Sequence, residues 1–594
     1  MAFYLSPLVD VNEIDLTTTI PAVATSIGCL ILRNTYKGPE RKKWLITSED
    51  DLIETFGQPP SNVYAYRDML AGTGFFRWGT KLYATRTMPM SATFAGTKAL
   101  SGTGANPSTF EPFTSANAYI LDDFVSEDPD QFGEEVTVAA INPFYLIASS
   151  RGAWGNNIRV AVVDKSTYSA ITTGGFSTDP TWRDVNTGTW DAVQDTDSPL
   201  TDQKDFLIIV YSMEQGETSY TRKEEWNVST QEDRVDDEGV TTFAENVINQ
   251  QSKYIRIAFN EAQKNANIYV ATASWQQFGG GVDNQGDSVE DGDIIRDLDL
   301  YANAEDVDVN IFIDSDKSET VKAYMASICE SRLDCMAVLD CPYDTVVNNS
   351  GSEVEDLRNW RTGALAPYLT DNLNLNTSYA AVYGNWLEIY DKWNNKYRWI
   401  PTSGHIAGIF ARTDDVTDPW FAPAGFQRGI LSNVRRLAWN PTLGERDILY
   451  KNGINPVVSF AGQGKVVFGQ KTMLDRNSAF NRINVRRLFI ILEKAISTAV
   501  TNFLFEPNDE ITRLLLLNLI DPFLRDVRSR RGIFDYLIVC DSTNNTPERI
   551  DRNELWCDIY VKPTRAAEFI VLNFIATKTG ASFTEIAALR AGRA

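Results

Sequence analysis

Apolar and polar positions alternate at the start of the chain, then settle into the mixed rhythm of a layered fold. Val9 and Val11 alternate with Asp10 and Asn12, and Ile14 and Leu16 alternate with Asp15 and Thr17, the phase slipping at Glu13. A period of two predicts an extended strand, and the slip predicts a bulge or a change of partner. No hairpin partner follows, so residues 1–20 read as an extended arm that needs a sheet to join. Residues 21–90 form the N-terminal part of a core, with a strand at 27–32, a helix after Thr47-Ser48-Glu49-Asp50 and a strand at 81–86. The run SATFAGTKALSGTGANPSTFEP from Ser91 predicts a boundary or a surface loop, opening an outer protruding insertion over 91–145. Residues 146–270 are β-rich, with apolar runs at 158–163 and 206–210, and the acidic loop from Asp283 to Asp293 closes this region. Strands at 307–313, 335–339 and 379–383 then alternate with helices near 319–331 and 353–365. That order predicts an α/β domain with a largely parallel sheet over 271–424.

In the last third, Val485, Leu488, Phe489, Leu492, Ala495, Ile496, Ala499, Val500 and Phe503 recur at three- and four-residue steps. They give one apolar face on a helix of about five turns, with Arg486, Arg487, Glu493 and Lys494 off that face. A second helical region spans 508–531; Asp521-Pro522 should start a new segment, since proline belongs in a first turn, and Gly532 should end it. Strands follow at 535–540, 555–561 and 568–575. Residues 425–575 therefore read as an α+β domain, with a C-terminal arm over 576–594.

Net charge is −24 over 594 residues, but it is segregated. From Gly425 onward, 24 basic residues face 17 acidic ones, net +7, which leaves 31 against 62, net −31, for the remainder. An acidic bulk repels nucleic acid and membranes, whereas the basic part can face an acidic protein. The N-terminus has no secretory pattern, and the apolar run 514–520 is too short to span a bilayer. The six cysteines include no CxxC pair, and His405 is the only histidine, so no metal site and no network of imidazoles is expected. GKVVFGQKT from Gly464 misses a phosphate-binding loop, because Gln470 stands where lysine belongs. Ser403-Gly404-His405-Ile406-Ala407-Gly408 is similar to the histidine helix of subtilisin-type proteases, yet no glycine-framed nucleophile serine accompanies it. No catalytic residue and no cofactor is expected. The acidic loops at 287–293 and 314–316 read as solvated turns, neither having a twelve-residue calcium loop with its terminal glutamate.

The C-terminal third resembles the sheath proteins of contractile-tailed phages. The likeness is carried by NPVVSFAGQGKVVFGQKT from Asn455, FNRINVRRLFIILEKAI from Phe480, FLFEPND from Phe503 and the long stretch from Phe523 through FLRDVRSRRGIFDYLIVCDSTNNTPERIDRNELWCDIYVKPTRAAEFIVLNF. VNEIDLTTTIPAVATSIG from Val11 looks like the family's opening arm, and Arg151-Gly152-Ala153-Trp154-Gly155-Asn156-Asn157 like an internal signature. The resemblance implies a multidomain fold: a subtilisin-like α/β domain without its triad, a C-terminal α+β domain lining the inside of a sheath, β-rich peripheral insertions and extended terminal arms. It implies a structural subunit rather than an enzyme, polymerising as stacked hexameric rings around a tail tube and contracting to drive the tube through the host envelope. Its partners would be copies of itself, the tube, the baseplate and the tail terminator, with no direct nucleic acid and no membrane insertion. Its place would be the virion tail, assembled in the host cytoplasm. The sheath of a phage-derived injection machine or bacteriocin shares these features, and a degenerate subtilisin-like hydrolase is the remote alternative. On this reading the inter-subunit arm uses Val9, Val11, Ile14 and Leu16. Arg486, Arg487 and Lys494 are the tube-facing candidates, and Arg525, Arg528, Arg530 and Arg531 form a basic interface cluster.

Overall fold

A computed structural model describes residues 26–61, 63–89, 91–100, 109–114, 144–165, 200, 202–236, 238–260, 264–268, 275–283, 289–364 and 372–568. The arms at 1–20 and 576–594, and the expected strand beyond Glu568, lie outside them.

A seven-stranded sheet organises the largest unit. Its spatial order is Ile454–Asn455, Ala380–Tyr383, Met336–Asp340, Ile311–Ile313, Ile27–Arg33, Lys81–Thr87 and Trp44–Ile46. All neighbours are parallel except the edge strand Trp44–Ile46. Both faces are buried, which is why the strands read as continuous apolar runs. Leu30, Leu32, Ile311 and Val338 face one core with helices Glu49–Phe56, Val63–Phe75 and Ser403–Val416. Cys29, Ile31, Phe312 and Leu339 face the other, with helices Asp291–Asp299, Glu319–Arg332 and Glu353–Thr362. Ser48 caps its helix as the sequence implies, accepting from the Asp51 amide. The sheet draws on three stretches that the sequence separates, 21–90, 271–424 and 425–575. Ile454 pairs with Val382 at the sheet edge, so the α/β layer continues past Gly425.

Two four-stranded sheets share a second core, one ordered Ile255–Phe259, Phe144–Ala148, Gly96–Leu100 and Thr109–Pro112, the other Gln276–Gln277, Ile158–Asp164, Asp205–Ser212 and Thr221–Ser229. The stretch from Ser91 to Pro112 is therefore not all surface loop: Ala92, Phe94, Ala95 and Ala99 are buried. Its small residues serve close packing, for a Cβ on Gly96 would stand 2.5 Å from the Phe113 ring and 2.8 Å from the Leu146 carbonyl oxygen. The Arg151 signature ties this unit to the α/β unit. Glu40 binds Arg86 at 3.0 Å and Arg151 at 2.8 Å, all three side chains buried.

The C-terminal unit holds helices Ile483–Val500 and Glu510–Ser529 and an antiparallel pair of strands, Ile533–Val539 and Asp558–Pro563. Leu488, Leu492, Leu516, Ile520, Leu524 and Val527 make its core. The second helix does not restart at Pro522 but runs through it. Proline forfeits one backbone bond there, and burial of Leu519, Ile520 and Leu524 on either side holds the helix together. The helix ends at Ser529, ahead of Gly532: Arg531 takes the left-handed conformation (φ 66°) and the Gly532 amide donates back to the Val527 carbonyl at 2.8 Å.

Candidate assembly surface

Helix Ile483–Val500 belongs to both units, since Ile483 and Ile490 enter the α/β core while Leu488 and Leu492 enter the C-terminal core. An 18-residue helix has little side left for solvent when it is packed from two directions. This corrects the expectation that Arg486, Arg487 and Lys494 stand on an open polar face. Arg486 is 7% exposed and lies between the rings of Tyr379 and Phe480, its carbon centre 4.2 and 4.1 Å from their centroids, while Nη1 donates to the Tyr379 hydroxyl at 3.1 Å. Burial pulls its pKa down from the ordinary arginine value, with Tyr379 and Glu493 opposing. Arg487, 5% exposed, donates to both carboxylate oxygens of Asp414 at 2.7 and 2.6 Å and sits over Phe410. Lys494 pairs with Asp308 and, at 3.8 Å, with Asp334. All three charges dock the C-terminal unit on the α/β unit. Sequence periodicity missed this because it sees one apolar face and cannot see a charged partner elsewhere in the chain.

The basic cluster behaves differently. The Arg525 side chain is 74% exposed and pairs with Asp521, and Arg528 is exposed with Asp535 at 3.9 Å. Arg530 is spent within the chain on Asp418 and the Trp420 ring, and Arg531 forms the helix end described above.

The C-terminal unit also exposes two apolar patches that periodicity does not single out, one on its second helix and one on its strand pair. Ile511, Leu514, Leu515 and Pro522 recur at helical spacing on the exposed side of Glu510–Ser529. On the strand pair, Tyr536, Ile538, Ile559 and Val561 pack on the core. Leu537 and Tyr560, directly opposite each other, face outward at 58% and 60% exposure. Among the described residues, neither outer edge of this two-stranded sheet is paired with another strand. A pair of strands with open edges is marginal on its own and is a template for another strand.

His405 is buried against helix Val63–Phe75, where a Cβ on Gly74 would stand 2.5 Å from its Nδ1, and a Cβ on Gly404 would stand 2.1 Å from the Ala71 carbonyl oxygen. Nδ1 has no hydrogen-bond partner among the described residues. Burial, followed by the Arg77 charge, lowers the imidazole pKa to about 4, which keeps it neutral. Ser403 is engaged elsewhere, its amide donating to Asp340 at 2.7 Å and its hydroxyl accepting from the Ser315 amide at 3.0 Å. The acidic stretches are not solvated turns: Asp291 and Asp293 open the helix Asp291–Asp299, and Asp314 and Ser315 are fully buried, Asp314 accepting from the Lys317 and Asp340 amides at 3.0 and 2.8 Å.

Residues 289–473 match the model of the phage tail sheath protein central domain, and residues 475–577 match that of the phage tail sheath C-terminal domain. The chain is 42% identical over 358 residues to the tail sheath protein of Vibrio phage KVP40, covering 57% of this chain and 53% of that protein. It is 41% identical over 306 residues to the tail sheath protein of Enterobacteria phage T4, covering 50% and 46%. The chain spans about half the length of the curated relatives it matches. A solved sheath tail protein from Listeria innocua shares the fold over 92% of this chain and 97% of its own, with a TM-score of 0.52 at 12% identity. Residues 289–577 thus carry the two domains of the contractile phage tail sheath family.

Proposed function

We propose that this chain is the structural subunit of a contractile phage tail sheath, which polymerises as stacked hexameric rings around a tail tube and contracts to drive the tube through the host envelope. The observation that carries the reading is the open two-stranded sheet in the C-terminal domain, with the Leu537–Tyr560 pair facing outward. An extended arm from a neighbouring copy, holding Val9, Val11, Ile14 and Leu16, extends this sheet; main-chain hydrogen bonds supply affinity and alternate side chains supply register. The C-terminal domain faces the tube. Arg486, Arg487 and Lys494 contribute indirectly, by fixing the angle at which this domain hangs from the α/β domain, and Arg525 and Arg528 meet acidic groups on neighbouring copies. Single exposed pairs of that kind contribute at most about 1 kcal/mol, so grip comes from repetition around every ring. The α/β domain is a subtilisin-like layer in which the histidine helix is kept for packing. Contraction needs no nucleotide: a metastable extended lattice needs a barrier and a lower contracted minimum. Baseplate and terminator proteins cap the polymer, which is assembled in the host cytoplasm and carried in the virion.

Deleting residues 1–18 tests the arm. Folded, soluble monomers that cannot polymerise are expected; sheaths of normal length from this deletion would remove the arm from the mechanism.

A further inference from the structure

Chain order reverses beside the central strand Ile27–Arg33, which has Lys81–Thr87 on one side and Ile311–Ile313 on the other. In open α/β sheets, the crevice outside the carboxyl ends of the strands at such a reversal is where ligands bind. A cavity of about 410 Å³ lies there, lined by Arg33, Asn34, Arg67 and Lys317 and also by Asp291 and Asp344. Asn34 is 3% exposed and holds a left-handed backbone (φ 48°), yet neither its amide nitrogen nor its amide oxygen has a hydrogen-bond partner among the described residues. Nε of the buried Arg67 is likewise unpartnered, although its Nη1 pairs with Asp316. Native proteins seldom leave a buried amide with both functions idle. A group that brings one donor and one acceptor, as a peptide unit does, would satisfy it.

The charges name the rest of the ligand. The four cations of the cavity already face carboxylates: Arg33 and Lys317 meet Asp68 at 2.8 and 2.9 Å, Arg67 meets Asp316, and Lys322 lies 3.8 Å from Asp314 and 3.6 Å from Glu319. Asp340 stands behind them, fully buried, and Asp291 and Asp344 lie in the wall. Each lining cation thus has a carboxylate partner, whereas Asp291 and Asp344 have no ion-pair partner among the described residues. A cation is the missing charge.

We propose that this crevice receives an extended segment of a second copy of the chain, pairing a peptide unit with Asn34 and Arg67 and an arginine or lysine side chain with Asp291 and Asp344. The identity of the occupant rests on the self-polymerising reading above, and the basic surplus after Gly425 supplies such side chains.

Full-length protein titrated with N-acetyl-arginine methylamide, followed by calorimetry, tests the site. Binding with a dissociation constant on the order of 1 mM is expected, with N-acetyl-glutamate methylamide and agmatine each roughly tenfold weaker. Asn34→Gly keeps the left-handed backbone while removing the amide, and should weaken the arginine probe about tenfold with an unchanged circular dichroism spectrum. Asp291→Asn with Asp344→Asn should weaken it similarly and raise the protein concentration needed for polymerisation. No binding, or no effect of Asn34→Gly, overturns the site, and agmatine binding as well as the amide probe overturns the peptide contact. Unchanged polymerisation of the Asp291/Asp344 variant overturns the second copy as occupant. Wild-type protein that binds the probe but never polymerises overturns the occupant and the sheath reading, while leaving the pocket's chemistry intact.

Discussion

Replacing Arg487 with alanine should cost the chain stability rather than remove a surface contact. The Arg487 and Asp414 side chains are 6% and 5% exposed, and the guanidinium also covers Phe410. Truncation takes the counter-charge from a buried carboxylate, a loss of about 3–5 kcal/mol when a buried pair is broken. That is a large part of the roughly 5–15 kcal/mol that holds a domain folded. Arg525→Ala, in a pair whose arginine is 74% exposed and screened by solvent, should leave stability close to that of wild type. Urea unfolding followed by tryptophan fluorescence separates the two variants. Replacing both partners, Arg487→Met with Asp414→Leu, should recover most of the loss, because an apolar pair of similar volume leaves no charge stranded. If Arg487→Ala unfolded within about 1 kcal/mol of wild type while tube-templated assembly alone failed, the residue would belong to a tube contact and the docking role would be wrong.

Two buried titratable groups give pH predictions of opposite sign. His405 has its folded pKa lowered to about 4, so its contribution is present above the unfolded value near 6.5 and is lost as pH falls towards 4. Wild type should lose about 2–3 kcal/mol between pH 7 and 4.5 relative to His405→Asn, read from urea midpoints, with polymerisation retained in the variant. Equal pH profiles would place the imidazole in contact with solvent. Asp297, which accepts a hydrogen bond from the Thr87 hydroxyl, has its pKa raised to about 6, chiefly by burial. Its contribution is fully present below the unfolded value near 3.8 and is lost as pH rises through 6. Asp297→Asn should therefore be more stable than wild type at pH 7, by on the order of 2 kcal/mol, and similar to it at pH 4. A variant less stable at pH 7 would show the carboxylate to be charged and paired.

Periodicity and capping leave the helices Val63–Phe75 and Asp291–Asp299 and the edge strands Trp44–Ile46 and Ile454–Asn455 unread, but locate several other elements of the α/β unit to within a few residues, because strands buried on both faces and helices with one apolar face leave strong local signals. Ser48, the strand at 27–32 and the five-turn helix are instances. Partnership across the chain was not legible. Nothing near Arg487 in sequence announces Asp414 seventy-three residues earlier. The charge off a helical face reads as solvent-facing until a second unit is packed on it. Ser91 to Pro112 misled for a related reason: Gly96, Ala95 and Ala99 are loop-like in composition but serve the close approach of two sheets. Pro522 reads as a break because propensity is local, whereas the burial that carries the helix through it is tertiary. The apolar row from Ile511 to Pro522 has helical spacing, but only the structure distinguishes it from the buried face two positions away.

The central claim is that this subunit builds a sheath through an open sheet in its C-terminal domain. Electron microscopy of the purified full-length protein, with and without Leu537→Glu and Tyr560→Glu on the outward face, tests it most directly. The account predicts hollow, six-fold striated tubes for wild type and folded monomers for the paired substitution. Wild-type protein that stays monomeric at every concentration in the presence of tail tubes, or tubes of normal length from the paired substitution, would contradict it.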